Sequence, residues 1–470
     1  MSLPLSDTER CGKNLNDDST GNTQANCCAA SQDTQVQLTQ PVQQHLTLQA
    51  LLDQQMPPAT LLSTLLSTKS TISIDPNLEQ DQADLADESA QSEHSPDFVS
   101  IGEGRLGRVY DWAHTGKVVK VCLRDDDIEL RVEAAVHKIV CQAYDSLIRG
   151  PPQSQTQASV SVPFHIPQYY SISFGDEAAQ WWSRQQHQSA FPTDDKKIKD
   201  LVGHALLTAE RIPPLPKVLR EALIDTYFRE CDRAAAKKNP KNRDCLVRVY
   251  LGSQRTKFQY GILRNMPLTL AQMHALNLPL DGFVESMAAA LAMMHFGAGI
   301  DAHDVEFVLG ANPANPNPDN PEVATSTRLA PEHTDSGGNR NPNLNFTFRD
   351  GYLQLWVLDF NQCGDITMDE TGMDSAVEAY FDNDPYFPRP YLHCYGSALG
   401  KVNLTTKEAV EFVGGLWAKF ASSYIAAGKT FLKNGDKLGS TDSSRSLPAM
   451  FVEKVERRAA SEMPGWKAMQ

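Results

Sequence analysis

Residues Ile101–Tyr110 read Ile-Gly-Glu-Gly-Arg-Leu-Gly-Arg-Val-Tyr, a complete G-x-G-x-x-G-x-V, and Val118-Val119-Lys120-Val121 follows closely. Val109-Tyr110-Asp111-Trp112 leads out to a turn at Ala113-His114-Thr115-Gly116, and a second strand, Lys117–Leu123, carries Lys120 between valines. Gly102, Gly104 and Gly107 let such a hairpin bring backbone N–H groups down over phosphates without Cβ obstruction. Lys120, one strand away, reaches the same phosphates as a point charge. A dinucleotide-binding turn requires the last glycine to open a helix. Here β-branched and aromatic residues follow at once, so a β-hairpin fits better. An ordinary glycine-rich hairpin reads the same way on these residues alone, and the rest of the chain has to decide.

At 470 residues there is room for two or three domain-sized units, and 41% hydrophobic with 8% aromatic residues suffices for a sizeable core. A net charge of −15 argues against general binding to nucleic acid or anionic membranes. The nine cysteines are scattered and form no C-x-x-C pair, so neither a disulfide framework nor a zinc site is expected. The first residues carry Asp7, Glu9 and Arg10 with no apolar block behind them, unlike a secretory signal. The most apolar stretch, Met287–Ile300, is too short to span a bilayer. These features predict an intracellular, cytoplasmic protein, with the nucleus left open, and no nucleic-acid or membrane partner.

Residues 1–95 are polar and hold no Phe, Trp or Tyr, so they are expected to be mostly disordered. The exception is 45–66, where leucines before and after Pro57-Pro58 suggest two short amphipathic helices that dock on the body or recruit a protein partner. Glu79–Glu93 reads as an acidic linker. A first folded unit is expected over 96–210. Its helix, Asp126–Ser146, carries Glu129 and Glu133, and Glu133 lies deeper among the apolar positions, where it can pair with Lys120. Strands are expected at Val162–Ile172 and Ala205–Ala209, with Gln180–Lys197 as a polar surface insertion despite Trp181-Trp182. Glu210–Pro214 suits a hinge whose backbone groups face an adenine edge. A second unit over 211–434 follows, with an insertion near 311–342, and 435–470 is a polar linker with a short helix. Within the second unit Val218–Glu230, Leu268–Ala275, Leu280–Phe296 and Thr405–Phe431 read as helices, Leu246–Leu251 and Phe258–Leu263 as a strand pair, and Arg233–Arg243 as a basic loop.

After the most apolar helix comes Gly299-Ile300-Asp301-Ala302-His303-Asp304-Val305-Glu306, then an apolar strand. Leu353–Phe360 is a second strand, ending Leu358-Asp359-Phe360-Asn361. Glycine loop, lysine, helix with glutamate, hinge, buried helix, acid with a further acid five residues on, and Asp-Phe occur in one order. In that order the chain resembles the protein-kinase-like superfold from about Phe98 to Ser422. More narrowly it resembles an uncharacterised family of fungal kinase-like proteins, a domain of unknown function, through D-x-x-D-V-E-F-V-L-G, L-D-F-N and the run Ala379–Pro390.

The resemblance implies an α+β, two-lobed protein-kinase-like fold: a small antiparallel β lobe with one helix and a larger, mostly helical lobe. It implies ATP and Mg²⁺ as cofactors. Gly102, Gly104 and Gly107 would cover the phosphates, with Lys120 binding them and Glu133 orienting it. Asp301 would be the base, and Glu306 and Asp359 the metal ligands. His303 falls where many protein kinases carry a lysine, which implies a phosphate-facing role. The expected activity is phosphotransfer to an unknown small-molecule or protein hydroxyl. The departures are Gly299-Ile300 in place of His-Arg, Glu306 in place of Asn, and Asn361 in place of Gly. They favour small-molecule acceptors, or the alternative of a non-catalytic, pseudokinase-type regulatory or scaffold protein.

Overall fold

The computed structural model describes residues 54–67, 97–149, 164–186, 201–253, 262–312, 353–390, 406–434 and 446–462, all within the unit His45–Gln470. In chain order these form α1 (Pro58–Leu65), β1 (Phe98–Glu103), β2 (Gly107–Trp112), β3 (Lys117–Cys122), α2 (Ile128–Arg149), β4 (Tyr169–Ser173), α3 (Asp176–Gln186) and β5 (Leu206–Glu210). There follow α4 (Lys217–Tyr227), α5 (Glu230–Lys238), β6 (Val247–Tyr250), β7 (Met266–Thr269), α6 (Leu270–Ala275), α7 (Asp281–Met293), β8 (Glu306–Ala311), β9 (Leu353–Leu358), α8 (Glu370–Asp382), α9 (Thr406–Asn434) and α10 (Leu447–Glu462). The class is α+β with two sheets. No described helix is long and apolar enough to cross a membrane.

The first sheet has five strands in the order β1-β2-β3-β5-β4, antiparallel throughout. Alternation along the strands gives it two distinct faces. Phe98, Tyr110, Val119, Val121 and Leu206 form one apolar face, closed by Trp181, Trp182 and Leu201. Cys122, Leu207 and Ala205 lie on the other, where Leu130 and Ala134 of α2 pack. Lys120 stands opposite Val109 and Leu207 in the ladder, so it shares this second face. Trp181-Trp182 therefore belong to a helix lid on the sheet rather than a polar insertion. Burying two indoles outweighs the polar residues around them, and Trp182 Nε1 donates to the His204 carbonyl at 2.9 Å.

The second sheet has four strands in the order β7-β6-β8-β9. Its lower face (Val247, Val249, Phe307, Leu309, Leu355 and Val357) joins the main core with α7 and α9. Helix α7 is buried almost all round, which explains its continuous apolar sequence. The expected strand pair is different in detail. Strand β6 pairs with Met266–Thr269, and in parallel. Residues 262–265 make a turn, and 254–261 lie outside the described residues. Thr269 then caps α6 in a box with Gln272, which moves the helix start to Leu270. The first half of the basic run 233–243 is helical, in α5.

Leu61, Leu62, Leu65 and Leu66 of the α1 segment are buried in the main core, so the apolar side of 58–66 is already covered by the body. Residues 45–53, the acidic linker, the insertion from 313 and the linker from 435 lie outside the described residues.

Candidate active site

Helix α2 brings Glu133 to Lys120, one turn after Leu130 seats the helix on the sheet. Lys120 Nζ donates to Glu133 Oε1 and Oε2 at 2.7 and 2.8 Å, and to Asp359 Oδ1 at 3.4 Å. Side-chain exposures are 16%, 7% and 29% for Lys120, Glu133 and Asp359. Burial pulls the Lys120 ammonium down, but the Glu133 and Asp359 carboxylates outweigh it and hold it above the usual lysine value. Burial raises Glu133, and nearby Asp359 adds to this against the pull of Lys120. Two carboxylates facing one ammonium leave the trio a net negative charge.

The β1–β2 hairpin lies next to this trio. The Gly104 N–H donates to the Gly107 carbonyl at 2.9 Å, closing the turn, and Leu106 at its tip is buried. The three glycines differ sharply. A Cβ on Gly107 would come within 2.8 Å of Lys120 Cγ and 2.9 Å of the Val121 carbonyl oxygen. At Gly102 it would meet Val109 at an ordinary 3.6 Å, and at Gly104 nothing nearer than 4.0 Å. Gly107 is thus the position at which the hairpin and Lys120 touch.

Asp301 sits in a loop launched by the end of α7. A π turn, Met294–Ala298, closes on Gly299 in the left-handed region, and the Ile300 N–H donates back to the Met294 carbonyl. Asp301 Oδ1 accepts the N–H groups of His303 (3.0 Å) and Gly364 (2.9 Å), and its own N–H donates to the Gly364 carbonyl. Burial raises its carboxyl, partly opposed by those two N–H bonds. Ala302, Asp304 and Asp359 all have positive φ, of 57°, 58° and 62°. Non-glycine residues in that region are uncommon and cost on the order of 1–3 kcal/mol each. Asn383 helps to hold two of them: its Nδ2 donates to the Ala302 carbonyl at 2.9 Å, and its Oδ1 accepts the Asp304 N–H. Gln362 Nε2 donates to the Asp304 carboxylate. The Cys363 thiol is pushed well above its usual value by burial and then by Asp301, Asp359, Asp304 and Glu133. Its Sγ donates to the His303 carbonyl at 3.4 Å.

Glu306 is placed otherwise than expected. It opens β8 opposite Leu358, one residue before Asp359, but its carboxylate is taken by Arg248 of β6. Burial raises the Glu306 carboxyl to about 7, with Arg248 lowering it and Asp359, Asp304 and Asp384 raising it further. Among the described residues no three His, Cys, Asp or Glu side chains converge as a metal cage. In this structure Glu306, expected as a metal ligand, is the ion-pair partner of the Arg248 guanidinium. Arg248, Gln362 and Asn383 are the polar groups of this region that sequence reasoning missed.

The segment expected to serve as a hinge, Glu210–Pro214, is tied to its surroundings. Arg211 ties it down through Asp111 (2.8 Å) and Asp244 (2.5 Å), and the Pro213 carbonyl accepts the Ala311 N–H at 2.9 Å. Pro213 and Pro214 have no N–H to offer.

A family profile, DUF3669, described as "Zinc finger protein", matches residues 355–436, less than half of the chain. This overturns the resemblance to a family of kinase-like proteins, because the profile matched carries a different description. No curated protein and no solved structure matches the chain. The matched segment holds two cysteines, Cys363 and Cys394, and one histidine, His393. A structural zinc site takes four such ligands. Cys363 is buried against the His303 carbonyl, and His393 and Cys394 lie outside the described residues. The segment does not by itself supply a zinc finger's ligands, and no zinc chemistry is derived from it.

Proposed function

We propose that this protein binds ATP with a divalent cation and transfers the γ-phosphoryl group to a hydroxyl acceptor. The observation that carries the reading is the buried Lys120–Glu133–Asp359 trio lying against the Gly107 end of a glycine hairpin. In phosphoryl transfer the protein mainly positions groups and neutralises charge. Lys120 would bind phosphate oxygens and Glu133 would hold its ammonium in place. The acceptor oxygen forms a bond to the γ-phosphorus as the bond to the bridging oxygen of ADP breaks. The hydroxyl proton passes to Asp301, whose Oδ1 is held by two N–H bonds while Oδ2 is left to accept it.

A two-lobed arrangement of the kinase type, as an architecture and not as a family, goes with this reading. The five-stranded sheet with α2 would be the small lobe, and the second sheet with the later helices the large one, joined at Glu210–Pro214. Mg²⁺ fits the donor set, because it commonly takes one or two carboxylates and leaves the rest of its shell to phosphates and water. Asp359 is the carboxylate that would hold it, and the ion would neutralise phosphate charge there.

The test is a thermal-shift titration with ATP and Mg²⁺ on wild type, Lys120→Ala and Asp359→Asn. Ligand at about 100 times its dissociation constant adds roughly 2.7 kcal/mol to the folded state. The expected result is a rise in Tm for wild type, absent from both variants, with turnover abolished in Asp301→Asn while ATP still binds. A wild type that shows no rise refutes the reading. A second reading, a non-catalytic regulatory or scaffold protein, draws on the capture of Glu306 by Arg248. It predicts a ligand shift without turnover.

A further inference from the structure

The face of the second sheet opposite the main core carries Arg248, Glu306, Val308, Gly310, Gln354, Trp356 and Leu358. The register sets them side by side: Arg248 opposite Val308, Val308 opposite Trp356, Glu306 opposite Leu358 and Gly310 opposite Gln354. On this face the Arg248 guanidinium is clasped by Glu306, with Asp384 3.8 Å from its NH1, and its side chain is 21% exposed. Its Nε, sealed from solvent, makes no hydrogen bond. Glu306 opens the strand whose partner ends one residue before Asp359, and Asp359 lies near enough to raise the Glu306 carboxyl, so the carboxylate that holds the guanidinium is the one that neighbours Asp359.

We infer that Arg248 is a phosphate-binding residue, and that the nucleotide is held with one divalent cation, on Asp359, rather than two. This rests on the ATP reading above. A second cation on Glu306 would have to displace a half-buried guanidinium from its carboxylate and then sit beside it, positive against positive. Arg248 instead presents a fixed positive charge of the chain itself, neutralised by Glu306 as a metal would be by its ligand. A guanidinium has five N–H donors, so pairing with Glu306 leaves others for phosphate oxygens, and its planar fork suits them. The absence of a three-ligand cage among the described residues agrees with a single ion whose shell is completed by phosphate.

The experiment counts Mn²⁺ bound per non-hydrolysable ATP on the full-length protein, by electron paramagnetic resonance. Wild type, Glu306→Gln, Asp359→Asn, Arg248→Met and Arg248→Lys are compared, with melts of each separating misfolding from lost binding. Wild type is expected to carry one Mn²⁺ per nucleotide, Glu306→Gln still one, and Asp359→Asn none. Arg248→Met is expected to bind the nucleotide roughly ten- to a hundredfold more weakly, the worth of a charged hydrogen bond, with Arg248→Lys recovering part of this. Two Mn²⁺ in wild type falling to one in Glu306→Gln overturns the inference and leaves the ATP reading standing. So does unchanged affinity in a folded Arg248→Met. No nucleotide-dependent Mn²⁺ on wild type ends both.

Discussion

Replacing each glycine of the hairpin with alanine separates packing from ligand approach. At Gly107 the new methyl would sit 2.8 Å from Lys120 Cγ and 2.9 Å from the Val121 carbonyl oxygen, closer than real Cβ contacts come. Cγ is near the root of the lysine side chain and the carbonyl is backbone of β3, so neither can swing away as a flexible tip does. Overpacking of this kind costs about 1–3 kcal/mol. At Gly104 the nearest atom is 4.0 Å away, and none of the three glycines has a positive φ. There alanine should be neutral or gain a few tenths of a kcal/mol, up to roughly 1, by restricting the unfolded chain. Gly102→Ala, in ordinary contact with Val109, should lie between. Equilibrium urea unfolding without ligand measures all three. Equal losses at Gly104 and Gly107, or no loss at Gly107, would refute the packing argument. Repeating the series with ATP and Mg²⁺ adds the functional half. Gly107→Ala should lose most of the ligand stabilisation, because the stem it pushes is that of Lys120.

Three further predictions concern stability. Lys120→Met strands Glu133 in a buried site and should cost about 3–5 kcal/mol. Adding Glu133→Leu should return a substantial part of it, and a double-mutant cycle measures the coupling. The imidazoles of His137 and His295 are pulled by burial from 6.5 down to about 4 and about 3. Their folded values lie below the unfolded one, so the stability is complete above about pH 6.5 and is lost as pH falls through the folded values. At 1.36 kcal/mol per unit, His137 alone should cost roughly 2 kcal/mol by pH 5. Urea midpoints from pH 7 to 5 should fall less steeply in His137→Asn than in wild type. Trp182→Ala removes a buried indole and its bond to the His204 carbonyl, and should cost about 3–5 kcal/mol in the same assay. A loss under 1 kcal/mol would return α3 to the status of a surface insertion.

What was legible in the sequence was whatever a local period could express. The hairpin, the strand bearing Lys120, the stripe on α2 that seats Glu133 and the all-round apolar α7 follow from alternation, turn residues or helical spacing within a few residues. Trp181-Trp182 were misjudged because their polar neighbours dominated the local average, although both indoles are buried on the sheet. The parallel β6–β7 pair was missed because pairing direction is set by where the chain returns, not by either strand's composition. The backbone at Ala302, Asp304 and Asp359 gave no warning either. Positive φ ordinarily calls for glycine, yet all three carry side chains, and Asn383, far along the chain, supplies part of the restraint.

Glu306 shows the same limit in chemical form. Its distance of five residues from Asp301 says that a carboxylate stands near the acid. It says nothing of what that carboxylate faces. Arg248 enters from a strand 58 residues earlier, and only the β6–β8 register brings its guanidinium to Glu306. A ligand and an ion-pair partner are the same residue type at the same spacing. Which one forms is decided across the sheet, by whether the neighbouring strand delivers a competing cation. The substitution that tests this directly is therefore made at Arg248, not at Glu306.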